Sequence, residues 1–157
     1  MNHIRRAESR DIPRPLELLR QVNMVHHEIR PDLFKGPATK YSAAELELIL
    51  GDELTPIFVC ADEADQVLGY VFCILQDTPD TPLTPAYRTL YIDDLCVDET
   101  VRGSHVGSAL YRHVCAWAKA MGCYNLTLNV WTGNDSAQRF YEHMGMKPLK
   151  TYMEQLL

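Results

Sequence analysis

The residues best suited to chemistry lie in the turn Arg102–Ser108, which has the sequence RGSHVGS. This turn follows the strand-like stretch Tyr91–Val97 and precedes a helical stripe of apolar residues that begins at Val106. Small residues let a backbone approach a ligand closely, and a helix N-terminus offers unpaired N–H groups and the positive end of a dipole. The turn is therefore predicted to bind an anion, and a phosphate or pyrophosphate is its natural ligand.

Two common phosphate-binding motifs do not describe this turn, because it lacks both G-x-x-x-x-G-K-S/T and G-x-G-x-x-G. It resembles instead the signature R/Q-x-x-G-x-G/A of the N-acetyltransferase (GNAT) family, in which the signature binds the pyrophosphate of acetyl-CoA. Arg102 matches the first position and Gly107 the last, whereas His105 replaces the middle glycine.

A second stretch strengthens this resemblance. Residues 134–146, NDSAQRFYEHMGM, are similar to the family signature N-x-x-A-x-x-F-Y-E-x-x-G-F, and they follow the first signature in the expected order. The resemblance covers nearly the whole chain and implies that acetyl-CoA is the cosubstrate. It implies coenzyme contacts at Leu95, Cys96, Val97, Arg102, Gly103, Ser104, His105, Val106, Gly107, Ser108, Asn134, Ser136, Ala137 and Tyr141.

Acetyl transfer to an amine needs a group that takes a proton, because an alkyl ammonium with a pKa near ~10.4 is unreactive at neutral pH. Asp93 and Asp94 lie on the strand before the anion-binding turn. Successive strand side chains point to opposite faces, so only one of the two is expected to face the acceptor. The pair resembles the I-E-D of diamine and polyamine acetyltransferases, whose first acidic residue faces the acceptor. Asp93 is therefore predicted to be the base, acting directly or through water, and Asp94 to bond within the fold.

The resemblance also places Tyr141 beside the coenzyme sulfur. Its phenol, with a pKa near ~10, can share a proton with a thiol near ~8.5, so Tyr141 is the predicted acid for the thiolate leaving group. Backbone groups of Leu95, Cys96 and Val97 are expected to pair with the pantetheine arm as an added strand does. One of these N–H groups would polarise the acetyl carbonyl.

In this family the segment between the first two helices lines the acceptor pocket. His27, Glu28 and Phe34 lie in or near that segment and are predicted to contact the acceptor, as is Asn129. The adjacent histidines His26 and His27 cannot share one helix face, which argues against the helical spacing of a metal site. No metal is expected.

The elements that must position these residues indicate one α/β domain, residues 1–157, with a GNAT-like mixed, largely antiparallel sheet flanked by helices. The predicted order is β-α-α-β-β-β-α-β-α-β. Strands are expected at 3–8, 57–61, 67–75, 91–97, 126–131 and 147–157, and helices after Asp11, Ser42, His105 and Asn134. Gly69 indicates a bulge or a close backbone approach within its strand.

The composition of the 157 residues narrows the class of protein further. A formal charge of −6 argues against a nucleic-acid binder and is compatible with a cationic substrate. Five cysteines without C-x-x-C spacing favour reduced thiols. No apolar run reaches the ~18 residues of a membrane span, and none follows the N-terminal residues as a signal segment, so a cytoplasmic protein that does not enter membranes is expected. We also expect a homodimer.

Three functions remain open from the sequence. The first is an enzyme that acetylates a small primary amine, and the second is an acetyltransferase that acts on a protein amine. The third is a non-catalytic module that binds acyl-CoA, although both predicted proton-transfer residues are present. A protein-interaction domain on the same scaffold would differ by a large exposed apolar patch, which a sequence does not reveal.

Overall fold

The computed structural model describes all 157 residues, Met1–Leu157. The chain forms five strands and four α-helices, in this order: β1 (His3–Arg6), α1 (Pro13–Ile29), α2 (Ala43–Leu50), β2 (Ile57–Ala61), β3 (Val67–Thr78), β4 (Tyr87–Val97), α3 (Val106–Ala120), β5 (Asn125–Thr127) and α4 (Asp135–His143). No helix combines the length and the hydropathy that crossing a membrane requires.

The strands form one open sheet in the order β1-β2-β3-β4-β5. Every neighbouring pair is antiparallel except β4 and β5, which are parallel. Helix α3 packs on one face through Val106, Leu110 and Val114, whereas α1 and α2 cover the other face. Because both faces are covered, β3 is apolar along most of its length. The predicted fold class, a mixed and largely antiparallel α/β sheet, is confirmed.

Two local features follow from their residue types, and the close approach predicted at Gly69 is confirmed. Ser42 and Glu45 form a reciprocal capping box at the start of α2. Gly69 marks a close approach, since a Cβ there would lie 2.9 Å from the Cys96 carbonyl oxygen and 3.2 Å from the side chain of Val106. This glycine thus lets the start of α3 pack directly over β3 and β4.

Asp11, a residue type that often caps a helix, does not cap α1. Its carboxylate accepts hydrogen bonds from both terminal nitrogens of Arg5, at 2.7 and 2.9 Å, and from the backbone N–H of Glu8. The N-cap residue is Ile12, which has no side-chain acceptor, and Pro13 starts the helix. The bidentate guanidinium pairing outweighs a single capping bond for this carboxylate.

The last strand of the predicted order is not formed. Residues 147–157 adopt no regular structure and are exposed throughout. The strand expected at 126–131 is also cut short, because β5 ends at Thr127. Both departures have one physical cause: a strand exists only where a neighbouring strand satisfies its backbone groups, and these two segments have no partner within the chain.

Candidate active site

The turn after β4 brings free backbone N–H groups together. Gly103 (φ 85°) and His105 (φ 66°) both adopt the left-handed region, and α3 begins at the next residue, Val106. The N–H groups of residues 106–108 have no backbone acceptor, and Arg102 is exposed just before them. This arrangement has the geometry of an anion site at a helix N-terminus.

Replacing His105 with glycine is expected to stabilise the fold by about 0.5–1 kcal/mol. A non-glycine residue pays roughly 1–2 kcal/mol in the left-handed region, and the greater freedom of glycine in the unfolded chain offsets part of that gain. Coenzyme affinity is expected to change less than about tenfold, because the turn offers backbone N–H groups. Urea unfolding and calorimetric titration with coenzyme A check both values. His105→Ala keeps the strain, so a larger affinity loss in both variants would show that the imidazole itself contacts the ligand.

A β-bulge in β4 places both acidic residues on one face of the sheet. Asp94 pairs with Phe72 and Ile92 pairs with Cys73, which leaves Asp93 as an extra residue in β4. The expected alternation of the two carboxylates therefore does not hold. Ile92 packs on the α3 side, so the next residue, Asp93, points to the α1 and α2 side. Because the bulge adds one residue, Asp94 points to the α1 and α2 side as well.

Two tyrosines hold the carboxylates on that face. Tyr41 Oη donates to Asp93 Oδ2 at 2.6 Å, and Tyr70 Oη donates to Asp94 Oδ2 at 2.7 Å. The rings of both tyrosines pack against Phe72, with centroids 5.7 and 4.7 Å away. The two acidic side chains thus belong to a single cluster of aromatic and acidic groups.

The two carboxylates have different electrostatic environments. Burial raises the pKa of Asp94 to about 6, although the hydrogen bond from Tyr70 and the charge of Lys40 act in the opposite direction. Asp93 is the more accessible partner of a cation: Lys40 Nζ lies 2.8 Å from its Oδ1. Burial, and then the hydrogen bond to Asp93, raise the pKa of Tyr41. Asp93 is therefore an ion-paired carboxylate, whereas the neighbouring Asp94 has a pKa raised to about 6.

A cavity of about 370 Å³ opens beside Asp93, between α2 and the sheet. Its walls are mainly apolar, and the carboxylates of Glu45 and Asp93 also line it. The full lining is Tyr41, Glu45, Leu48, Ile49, Thr55, Phe72, Cys73, Ile74 and Asp93. A larger groove of about 440 Å³ lies between α3 and the end of α4 and shares no residue with this cavity. Of these two cavities, the smaller one is lined by Asp93, so it is the candidate acceptor pocket.

Tyr141 lies on α4, with its ring 5.1 Å from that of Phe140 and 6.3 Å from that of Tyr111. Burial raises the pKa of its phenol, and the charge of Asp94 raises this pKa further. The hydroxyl has no hydrogen bond within the chain, yet every buried side-chain polar atom has a partner, so it must reach solvent. The phenol is thus protonated, unengaged and within electrostatic reach of the acidic pair.

One edge of β4 is open beyond Tyr91. Strand β5 pairs with β4 only at Thr89–Tyr91, so the following residues face no neighbouring strand on that side. The carbonyl of Val97 accepts from Gln21 Nε2 at 3.2 Å, which shows that its backbone points to the open edge. Burial raises the pKa of Cys96 to about 12, and its thiol is therefore a poor nucleophile.

The remaining predicted residues fall into separate places. Asn129 Nδ2 donates a hydrogen bond to Tyr91 Oη at 3.1 Å. Tyr91 lies on β4, two residues before Asp93. Phe34 packs edge-on against Trp131, and its carbonyl lies 2.6 Å from Nδ1 of His27. These contacts join the end of α1 to the segment after β5.

Four other predicted positions have simpler surroundings. Glu28 is exposed on α1. Asn134 accepts from the N–H of Ala137 and caps α4, whereas Ser136 is exposed in its first turn.

Three residues at the site carry no signal in the sequence. Lys40 and Tyr41 reach Asp93 from a loop more than fifty positions away, and Gln21 reaches the open edge of β4 from α1. Neither spacing nor a motif singles them out. The structure shows no cluster of three or more His, Cys, Asp or Glu residues arranged to hold a metal ion.

Comparison with known proteins identifies the family of the chain. The model of the acetyltransferase (GNAT) family matches residues 22–146. A glucosamine 6-phosphate N-acetyltransferase from Trypanosoma brucei brucei is 32% identical over 57 residues, which are 36% of this chain and 37% of that enzyme. The chain thus matches well under half of that curated relative.

Solved structures extend the likeness to the whole chain. A mutant of the BH1408 protein from Bacillus halodurans has a TM-score of 0.95 and 31% identity, with 99% of each chain covered. The glucosamine-6-phosphate N-acetyltransferase from Arabidopsis thaliana has a TM-score of 0.72 and 21% identity, with 99% of this chain and 98% of that chain covered. The second structure shares the fold.

Proposed function

Because the chain belongs to the acetyltransferase (GNAT) family, we propose that it transfers the acetyl group of acetyl-CoA directly to a primary amine. One observation carries this proposal: a carboxylate beside the open edge of β4 already holds an ammonium group. That carboxylate is Asp93, and Lys40 supplies the ammonium at 2.8 Å. A site that binds this cation beside a second acidic residue is suited to an amine acceptor.

In the proposed reaction Asp93 attracts the acceptor ammonium and receives its proton, directly or through water. The neutral amine attacks the thioester carbonyl, so that a nitrogen–carbon bond forms while the carbon–sulfur bond breaks. The nitrogen loses its second proton to solvent as the adduct collapses, while Tyr141 gives its proton to the departing thiolate and recovers one from solvent. The phenol hydroxyl, which has no hydrogen bond within the chain and a raised pKa, supports the role of acid for Tyr141.

The coenzyme is proposed to lie along the open edge of β4. Backbone groups of Leu95, Cys96 and Val97 would bind the pantetheine arm, and Gln21 would yield the Val97 carbonyl when it does so. The turn Arg102–Ser108 would bind the pyrophosphate. The start of α4, with Asn134, Ser136 and Ala137, would close the coenzyme site.

We propose a diamine or polyamine as the acceptor. The cavity beside Asp93 combines apolar walls with a second carboxylate, Glu45, which suits an aliphatic chain with a positive charge at each end. The enzymes named among the relatives act on glucosamine 6-phosphate, whose phosphate would face Asp93 and Glu45 unfavourably. An amino sugar phosphate is therefore the alternative acceptor, and an experiment has to distinguish it from a diamine or polyamine.

The coenzyme is expected to stabilise the protein. A ligand that binds only the native state adds about 2.7 kcal/mol at one hundred times its dissociation constant. Thermal unfolding at rising acetyl-CoA concentration should therefore show a steady increase in Tm, whereas an equal concentration of pantetheine without the pyrophosphate should act more weakly. An unchanged Tm at millimolar acetyl-CoA would contradict the proposed cosubstrate.

A panel of amines with acetyl-CoA, followed by thiol release, tests the acceptor. Diamines should react faster than monoamines of equal length and faster than glucosamine 6-phosphate, because two carboxylates line the cavity. A peptide that contains lysine is included in the panel to test whether the acceptor is a protein amine. Stabilisation by acetyl-CoA without thiol release from any amine would favour the non-catalytic module instead.

We propose that the partner of the chain is a second copy. Residues 147–157 expose five large apolar side chains, each at least 74% exposed: Leu149, Tyr152, Met153, Leu156 and Leu157. One surface ion pair, between Glu154 and Arg30, links this segment to the rest of the chain, and such pairs contribute little. The outer edge of β5 is unpaired as well. A reciprocal exchange would pair each C-terminal segment with the β5 edge of the other copy.

Sedimentation velocity is expected to give about twice the chain mass of 17.9 kDa. Removing residues 149–157 should give a folded monomer, because these residues contribute nothing to either hydrophobic core. A monomer at micromolar concentration from the full chain would contradict the proposed dimer.

A further inference from the structure

The amine nearest to the proposed base belongs to the protein itself. Lys40 Nζ lies 2.8 Å from Asp93 Oδ1, and Tyr41 Oη occupies the other carboxylate oxygen at 2.6 Å. Lys40 comes from the loop between α1 and α2, and the family resemblance implies that this loop lines the acceptor pocket. Its ammonium therefore stands where an acceptor ammonium would be held.

We propose that Lys40 is an acetylation site of the protein, modified within the same molecule by the bound acetyl-CoA. This inference rests on the proposed function and goes beyond it, because the acceptor is a side chain of this chain. Holding the amine beside the base gives it a high effective concentration, which favours transfer within the molecule over transfer between molecules.

The loop leaves Lys40 free to reach the thioester. Residues 37–41 form no backbone hydrogen bond, whereas Asn23 fixes the start of the loop through the carbonyls of Lys35 and Gly36. The side chain of Lys40 is 47% exposed, so it is not locked into the core. Its charge also lowers the pKa of His26, after the larger effect of burial, so it faces the end of α1 as well.

The step balances with the groups already named. The Lys40 ammonium gives one proton to Asp93, and the neutral Nζ attacks the carbonyl carbon of acetyl-CoA. The Nζ–carbon bond forms, and the adduct loses its second Nζ proton to solvent as the carbon–sulfur bond breaks. The thiolate takes one proton from Tyr141, which solvent then reprotonates. The products are Nε-acetyl-lysine at position 40, free coenzyme A and one proton released from Asp93.

Incubation of the full-length protein with isotope-labelled acetyl-CoA, followed by peptide mass spectrometry, tests the proposal. Lys35 is the matched internal control, because it lies in the same loop, is exposed and has no contact with Asp93. Lys40 should be labelled at least about tenfold faster than Lys35, and Asp93→Asn should abolish that preference. Equal labelling of the two lysines would overturn the proposal.

Two further measurements define the site of transfer. The labelling rate constant should stay the same after a roughly tenfold dilution of the protein, and a proportional fall would show transfer between molecules and overturn the inference. A saturating acceptor amine should slow the labelling. If the same sample acetylates amines but leaves Lys40 unlabelled, the inference fails and the proposed function stands. If it neither acetylates amines nor binds acetyl-CoA, the proposed function fails as well.

Discussion

Replacing Asp93 with asparagine is expected to lower turnover with cationic amines by about 10²- to 10⁴-fold, the usual loss when a general base is removed. An amide neither attracts the ammonium nor takes its proton. Asp94→Asn is the matched control, because the bulge places Asp94 on the same face of β4, where its carboxylate accepts from Tyr70 and forms no ion pair with Lys40. The turnover of Asp94→Asn with the same amines is expected to fall less than about tenfold.

The pH dependence distinguishes the proposed role from a loss of structure. The acceptor ammonium has a pKa near ~10.4, so each pH unit below that value changes the neutral fraction about tenfold. Raising the pH from 6 to 9 should therefore narrow the gap between Asp93→Asn and the parent, since solution then supplies neutral amine. Asp94, whose pKa is raised to about 6, exchanges its proton near the lower end of this range.

The opposite result would reassign the base. A selective loss of activity in Asp94→Asn with an intact fold, or equal rates for Asp93→Asn and the parent throughout this range, would contradict the proposal. Because Asp94 titrates near neutral pH and lies close enough to raise the pKa of Tyr141, it is the residue to which the role would then pass.

Tyr141→Phe is expected to lower the rate of the chemical step by about 10²- to 10⁴-fold and to leave coenzyme affinity nearly unchanged. The substitution removes only a hydroxyl that has no partner within the chain, and the ring keeps its packing against Phe140 and Tyr111. Stability should thus change by less than about 0.5 kcal/mol. The raised pKa of Tyr141 keeps the phenol protonated throughout the assay range, so the acid is present at every pH tested.

Tyr111→Phe provides the control for Tyr141→Phe. Tyr111 is a buried tyrosine on α3 whose ring neighbours that of Tyr141, and it has no proposed role in proton transfer. Single-turnover measurements should show a normal rate in this variant and a slow one in Tyr141→Phe. An unchanged single-turnover rate in Tyr141→Phe would exclude the phenol as the acid.

The sequence by itself determined the local features and the fold class. The turn at the start of α3 follows from small residues before a helical stripe, and the capping box of α2 follows from Ser42 and Glu45. These features depend on residues a few positions apart, whose conformational preferences act wherever the chain is placed. The two family signatures, at residues 102–107 and 134–146, then identified the fold, because they occur in the order that the family shows.

The tertiary structure decided what depends on partners distant in the sequence. The face that Asp94 occupies is set by the register between β3 and β4, and a bulge overrides the simple alternation of side chains. The ammonium and the phenol on Asp93 come from a loop with no motif, which folding carries across more than fifty positions. Residues 147–157 have the residue types of a strand but no neighbour within the chain, and a strand's backbone groups are satisfied only by pairing. Residue types therefore determined which groups are available, whereas cross-strand register and long-range packing decided which of them meet.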